Sequence, residues 1–143
     1  MAEQTDAVET APLDLAIRAL RFRDRTAAEL AARLEQRGVG EEEREHALET
    51  LERIGYVDDE RFARTRAEQL AERGSGDALI RDDLERRGLA SDLIEWAVGT
   101  LEPERGRAAR IADRRGHSVK TARYLASRGF GEDALEAIVA AEE

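Results

Sequence analysis

The phrase LERRGLA, residues 84–90, stands near the middle of a chain of 143 residues, and it has two near copies: LEQRGVG at 34–40 and LASRGFG at 125–131. Each copy reads leucine, three residues, glycine, then an apolar residue. A helix often ends on a left-handed residue just past its last turn, a conformation that glycine takes without steric cost. In the Schellman form of that ending, the residue after the glycine packs back on the residue four before it. The phrase therefore predicts three helix stops, each with an apolar clasp: Leu34 with Val39, Leu84 with Leu89, and Leu125 with Phe130. Arg37, Arg87 and Arg128 precede the glycines, where the helix dipole favours a cation by about 0.3–1 kcal/mol.

The flanks of the phrase repeat as well. Thr26, Ser75 and Ser118 stand 12, 13 and 11 residues before the glycines, where a helix start wants a side-chain oxygen. Thr26 with Glu29 has the spacing of a capping box. After each stop comes a second apolar stripe at helical spacing: Ala47, Leu48 and Leu51; then Ile94, Ala97, Val98 and Leu101; then Leu135, Ile138 and Val139. A third stripe precedes each pair, marked by Leu13, Ile17 and Leu20, by Ala63, Ala67 and Leu70, and by Ala108, Ile111 and Ala112, with Pro103 near the last start. The i, i+3, i+4, i+7 pattern is that of one buried helical face. The glycines lie 50 and 41 residues apart, periods found in helical repeats. The expected architecture is all-α: an elongated, curved array of three tandem three-helix modules over 13–56, 57–102 and 103–143.

Composition agrees with that expectation and narrows the function classes. Aromatic residues make up 4% and prolines number two, a poor supply for a β-sandwich. No cysteine is present, so neither a disulfide nor a thiolate metal site is available. No apolar run reaches the ~18–20 residues of a membrane span. The opening MAEQTDAVETAP is acidic and lacks the features of a signal peptide; residues 1–12 are expected to be a disordered lead-in, and the protein a cytoplasmic monomer. His46 and His117 fall in different modules, and no nucleophile or phosphate-loop motif appears, so no enzyme, metal site or cofactor is expected.

Between the first two modules lies IGYVDDERFA, residues 54–63. Gly55 repeats the helix stop, with Tyr56 facing Leu51. Asp58 caps the next helix, Asp59 and Glu60 favour its positive end, and Val57 with Phe62 forms a hydrophobic staple. GYVDDERFA, the RDRT at 23–26, the Ser/Thr-capped helices and the closing RGF together resemble the RecX family of recombination regulators. The resemblance covers Leu13 to the C-terminus. It implies a curved array of three-helix modules that binds the RecA recombinase filament, lodges along its groove, and inhibits ATP hydrolysis and strand exchange. Where the family usually carries a basic residue after the glycine-rich turn, this chain has Leu79.

Charge patterning supplies the candidate contacts. The net charge is −9, yet it is uneven: residues 26–60 hold 4 arginines against 11 acids, and residues 103–130 hold 8 basic residues against 2 acids. Arg18, Arg21 and Arg25 share one side of the first helix and, with Tyr56, Asp59 and Arg61, are candidate partner-binding residues. Arg107, Arg110 and Arg114 repeat that spacing, and with Arg115, Lys120 and Arg123 they are candidates for contact with nucleic acid or the filament. Arginine stems shielding a thin core would produce the same pattern. Trp96, the sole tryptophan, is flanked by Ile94, Ala97 and Val98 and is expected to be partly core, with an aromatic anchor in an interface as the alternative. A helical module that binds single-stranded or duplex DNA on its own is the alternative to a filament regulator.

Overall fold

The computed structural model describes residues 2–22 and 24–140, at 2–10 and 22 for the backbone alone. Met1, Arg23 of the RDRT stretch and residues 141–143 lie outside the described residues. Every element among them is helical: α1 Ala2–Phe22, α2 Ala27–Gln36, α3 Glu41–Arg53, α4 Asp59–Glu72, α5 Asp77–Arg86, α6 Ser91–Gly99, α7 Glu104–Arg115, α8 Val119–Ser127 and α9 Glu132–Ala140. Apart from α1, these helices are short enough to be marginal alone in water, so burial of an apolar stripe must hold them. They group into two compact units, residues 1–62 and 63–143, with the division inside α4.

The predicted stops are present. Val39 N donates to Leu34 O at 3.0 Å, Leu89 N to Leu84 O at 3.3 Å, and Phe130 N to Leu125 O at 3.1 Å. Each is the long bond of a Schellman ending, and Gly38, Gly88 and Gly129 have φ of 82°, 83° and 89°. Leu34, Leu84 and Leu125 are fully buried, so the clasp anchors each helix end to its core. Gly55 and Gly74 close helices in the same way, through Tyr56 N to Leu51 O and Ser75 N to Leu70 O. The Tyr56 side chain departs from expectation: it is exposed, and Val57 fills the core position instead.

In the first unit, α1, α2 and α3 enclose Ala16, Leu30, Leu34, Val39, Ala47, Leu51 and Val57. Ile17 is exposed and Ala16 takes the inward position on α1. Thr26 is buried and forms the full capping box: its hydroxyl accepts from Glu29 N, and Glu29 Oε1 accepts from Thr26 N, both at 3.1 Å. Helix α1 starts at Ala2, so residues 2–12, expected as a disordered lead-in, form its first turns and carry Pro12 within the helix. The segment is rich in Ala, Glu and Gln, good helix formers, and its early acids suit the helix N-terminus.

In the second unit, α7, α8 and α9 bury Ala108, Ala112, Leu125, Phe130, Ala134 and Ile138. Helices α4–α6 bury Ala63, Ala67, Ile80, Leu84, Leu89, Ile94, Ala97 and Val98. The start of α5 differs from expectation, because Gly76 rather than Ser75 occupies its cap and no side chain serves there. Its free amides are met by another helix end: Gly76 N donates to Arg128 O at 2.7 Å, and Ala78 N to Gly129 O at 3.2 Å. The orphan donors opening α5 thus satisfy the orphan carbonyls closing α8, and the two partial charges attract. Such an approach requires bare backbone. A Cβ on Gly129 would lie 2.7 Å from Leu79 N.

Candidate functional site

Arg107 was expected on a contact surface, and the structure corrects that. Its side chain is 9% exposed. Nε donates to Glu102 O and Nη1 to Ser75 O, each at 2.9 Å, and Nη2 pairs with Asp77. The guanidinium also lies 5.8 Å from the centre of the Phe130 ring. All faces of the fork are occupied, so Arg107 ties the start of α5 to α7. The signal was available: Arg107 stands four residues before Ile111 and beside Ala108, on the inward stripe of α7. Nearby, Glu104 accepts from Gly131 N. Burial pushes its carboxyl above the usual range; the Gly131 amide pulls it down, and neighbouring Asp77 pushes it up.

Asp83 forms a second internal cluster. It takes both donors of Arg66, Nε and Nη2, at 3.0 Å, and Arg87 Nε at 3.2 Å. Burial alone would raise its pKa, but the bonds and charges of the two guanidiniums prevail and hold it below the ordinary carboxylate range. The pair joins α4 to α5 and leaves little of Arg87 for a partner.

The remaining basic candidates of α7 and α8 face outward. Arg114, Arg115, Lys120 and Arg123 are exposed. Arg110 is exposed too, though it pairs with Glu102. The Arg115 guanidinium sits 3.5 Å from the centre of the Tyr124 ring, a cation–π stack that presents the charge in a fixed place. A groove of about 630 Å³ between α4 and α7 mixes Arg107, Arg110 and Arg114 with Glu68, Glu72, Glu102 and Asp113. With both signs present and its arginines partly engaged, it lacks a single ligand preference.

In the first unit, Arg18 and Arg25 come together in a groove of about 250 Å³. Arg33 of α2 and Arg37 at its C-cap complete the wall, over Leu15 and Ala19. Arg21 is exposed outside that lining. The α2 arginines were not foreseen as contacts, since the helix-end position of Arg37 had sufficient cause in the dipole. Asp59 turns inward: its Oδ1 accepts from Ala27 N at 2.8 Å, capping α2 from 32 residues away, a pairing that local spacing cannot foretell. Asp58 caps its own helix through Arg61 N at 3.0 Å. Tyr56 and Arg61 are exposed, and Ile54 beside them is 53% exposed. Trp96, at 40%, is half open to solvent.

Among the described residues no group of three or more His, Cys, Asp or Glu side chains is placed to hold a metal, and no helix is long and apolar enough to cross a membrane. Three-helix groups with charged outer faces, and no metal cluster among the described residues, define an all-helical protein whose charged groups lie mostly on its surface. Residues 13–51 match the first three-helix domain of RecX, and residues 58–98 match the second. Regulatory protein RecX of Halorhodospira halophila is 32% identical over 151 residues, spanning 98% of this chain and 93% of that protein. The namesake from Syntrophotalea carbinolica is 37% identical over 115 residues, spanning 79% and 71%. The chain belongs to the RecX family of regulatory proteins. The crystal structure of RecX from Lactobacillus salivarius shares the fold, with a TM-score of 0.81 and 18% identity over 94% of this chain and 96% of that one.

Proposed function

We propose that this protein binds RecA recombinase filaments assembled on DNA and lowers their ATP hydrolysis and strand exchange. The observation carrying the reading is family membership along almost the whole chain, with 32% identity to a regulatory protein RecX over 98% of its length. The protein acts through its surface, as a cytoplasmic monomer without chemistry of its own. The contacts proposed for the filament are Arg18, Arg21, Arg25, Tyr56 and Arg61 of the first unit, and Arg110, Arg114, Arg115, Lys120 and Arg123 of the second. A titration of RecA hydrolysing ATP on single-stranded DNA tests the proposal. Stoichiometric or smaller amounts are expected to slow hydrolysis, and the protein should sediment with the filaments. Unchanged hydrolysis together with no co-sedimentation would overturn it.

A helical module that binds DNA by itself is the second reading, favoured by the outward basic face of α7 and α8. Binding through phosphates has a steep salt dependence, with a log–log slope of about −0.9 per phosphate on duplex and about −0.7 on single strands. Tight, salt-steep binding to bare DNA in the absence of RecA would favour this reading over the first.

A further inference from the structure

We propose that the arginine groove of the first unit is a docking site for an acidic peptide segment of a protein partner. Arg18 on α1, Arg25 in the following loop, Arg33 on α2 and Arg37 at the C-cap of α2 line one groove with Leu15 and Ala19, and no carboxylate is in the lining. Among the described residues, Arg18, Arg33 and Arg37 have no acidic partner. Acids are nevertheless abundant in this region, with 11 of them against 4 arginines over residues 26–60. What sets this groove apart is that four arginines line it with no carboxylate among them, whereas the groove lined by α4 and α7 mixes both signs. The dipole of α2 favours Arg33 and Arg37 at its end, and Arg25 is held by its Nε donating to Ala19 O at 3.3 Å, but neither places Arg18 in the same groove. Arg33 in the last turn of α2 and Arg37 at its C-cap are also four residues apart, which sets two like charges side by side at the helix end. An arriving carboxylate reverses that repulsion.

The dimensions and surroundings favour a peptide over a nucleic acid. A phosphate backbone needs a long cationic track, whereas this groove is a compact cluster of four arginines. A short acidic segment needs only the local cluster. The guanidinium fork matches a carboxylate with two parallel bonds, and Leu15 with Ala19 offers an apolar floor for a side chain between the acids. The inference is independent of which protein supplies the segment.

The test uses the full chain and a fluorescein-labelled peptide of alternating Glu and Leu, with a Gln-for-Glu peptide as control. Anisotropy at low salt should report binding of the acidic peptide alone, weakening as salt screens the contacts. Arg33→Gln combined with Arg37→Gln should weaken that binding by about tenfold or more, the loss expected from two charge-assisted contacts. Both side chains are exposed and unpaired, so the double variant should keep its helical circular dichroism; Arg18→Gln provides a separate check from the other wall. Binding of a labelled single-stranded oligonucleotide should be the same in the variants as in the parent. No binding of the acidic peptide at millimolar concentration, or equal binding by the variants, would overturn the proposal. So would parallel loss of peptide and oligonucleotide binding, which would make the groove a phosphate surface. RecA is absent from every arm, so failure here leaves the filament reading standing, and failure of the filament assay leaves this one standing.

Discussion

At the scale of single residues, the most consequential side chain is Arg107, whose three donor positions end on Glu102, Ser75 and Asp77. Removing one partner of a buried ion pair leaves the other charge stranded, at a cost of about 3–5 kcal/mol. Arg107→Ala should therefore lower the urea midpoint of the full chain sharply, and any loss of regulation in that variant would follow from lost folding. The stop glycines permit a graded comparison. Gly38 has φ +82° and open space around it, so Gly38→Ala should cost about 1–2 kcal/mol from the left-handed backbone alone. Gly129→Ala carries the same strain and also drives a methyl to 2.9 Å from Leu79 Cβ. It should destabilise more than Gly38→Ala in parallel urea titrations, and equal effects would refute the close crossing. Spacing identified both glycines as helix stops, because that role is local. The close approach to Leu79 was invisible, since its partner lies 50 residues away.

Among the helices, ends were more legible than faces. The capping box of Thr26 and Glu29 follows from a three-residue spacing and is present in full. Thr26→Ala should cost about 1 kcal/mol, read as a lowered thermal midpoint. Ser75 had the same appearance in sequence, yet Gly76 takes the cap because carbonyls of α8 already satisfy the amides of α5. Asp59 resembled a surface acid and instead closes α2. In each miss a distant group outcompeted a local one. The ion cluster joining α4 to α5 gives a pH prediction. The Asp83 pKa is depressed in the folded state, so its contribution is present above the ordinary aspartate range and is lost as pH falls through the folded value. Acidification should thus erode the stability of the parent chain. Asp83→Asn should be less stable at neutral pH, and the gap between the two should narrow in acid. A constant gap in urea denaturation across that range would sink the assignment.

Across the whole molecule, the all-helical class was legible because leucine and alanine recur at helical spacing through most of the chain, and the family was legible from GYVDDERFA. Contact surfaces were not legible to the same degree. Arg18, Arg114 and Arg107 look alike by charge pattern, but the first two face outward and the third, which the apolar stripe of α7 alone marks as inward, is internal. Exposure depends on which neighbours close over a side chain, and charge patterning does not encode that. The splice between α8 and α5 yields a prediction for the second unit. Amide hydrogens of Gly76 and Ala78 are bonded to carbonyls of Arg128 and Gly129, so they should exchange with deuterium only as fast as the end of α8 opens. Faster exchange than Phe130 N would contradict the splice. That join also bears on how such chains diversify. A helical repeat is usually treated as a string of interchangeable cassettes, but here the last three helices cannot be traded for a relative's unless the donor brings a compatible pair of side-chain-free residues. Recombination breakpoints within the second half should be rare for that reason, and designed chimaeras should fuse upstream of it.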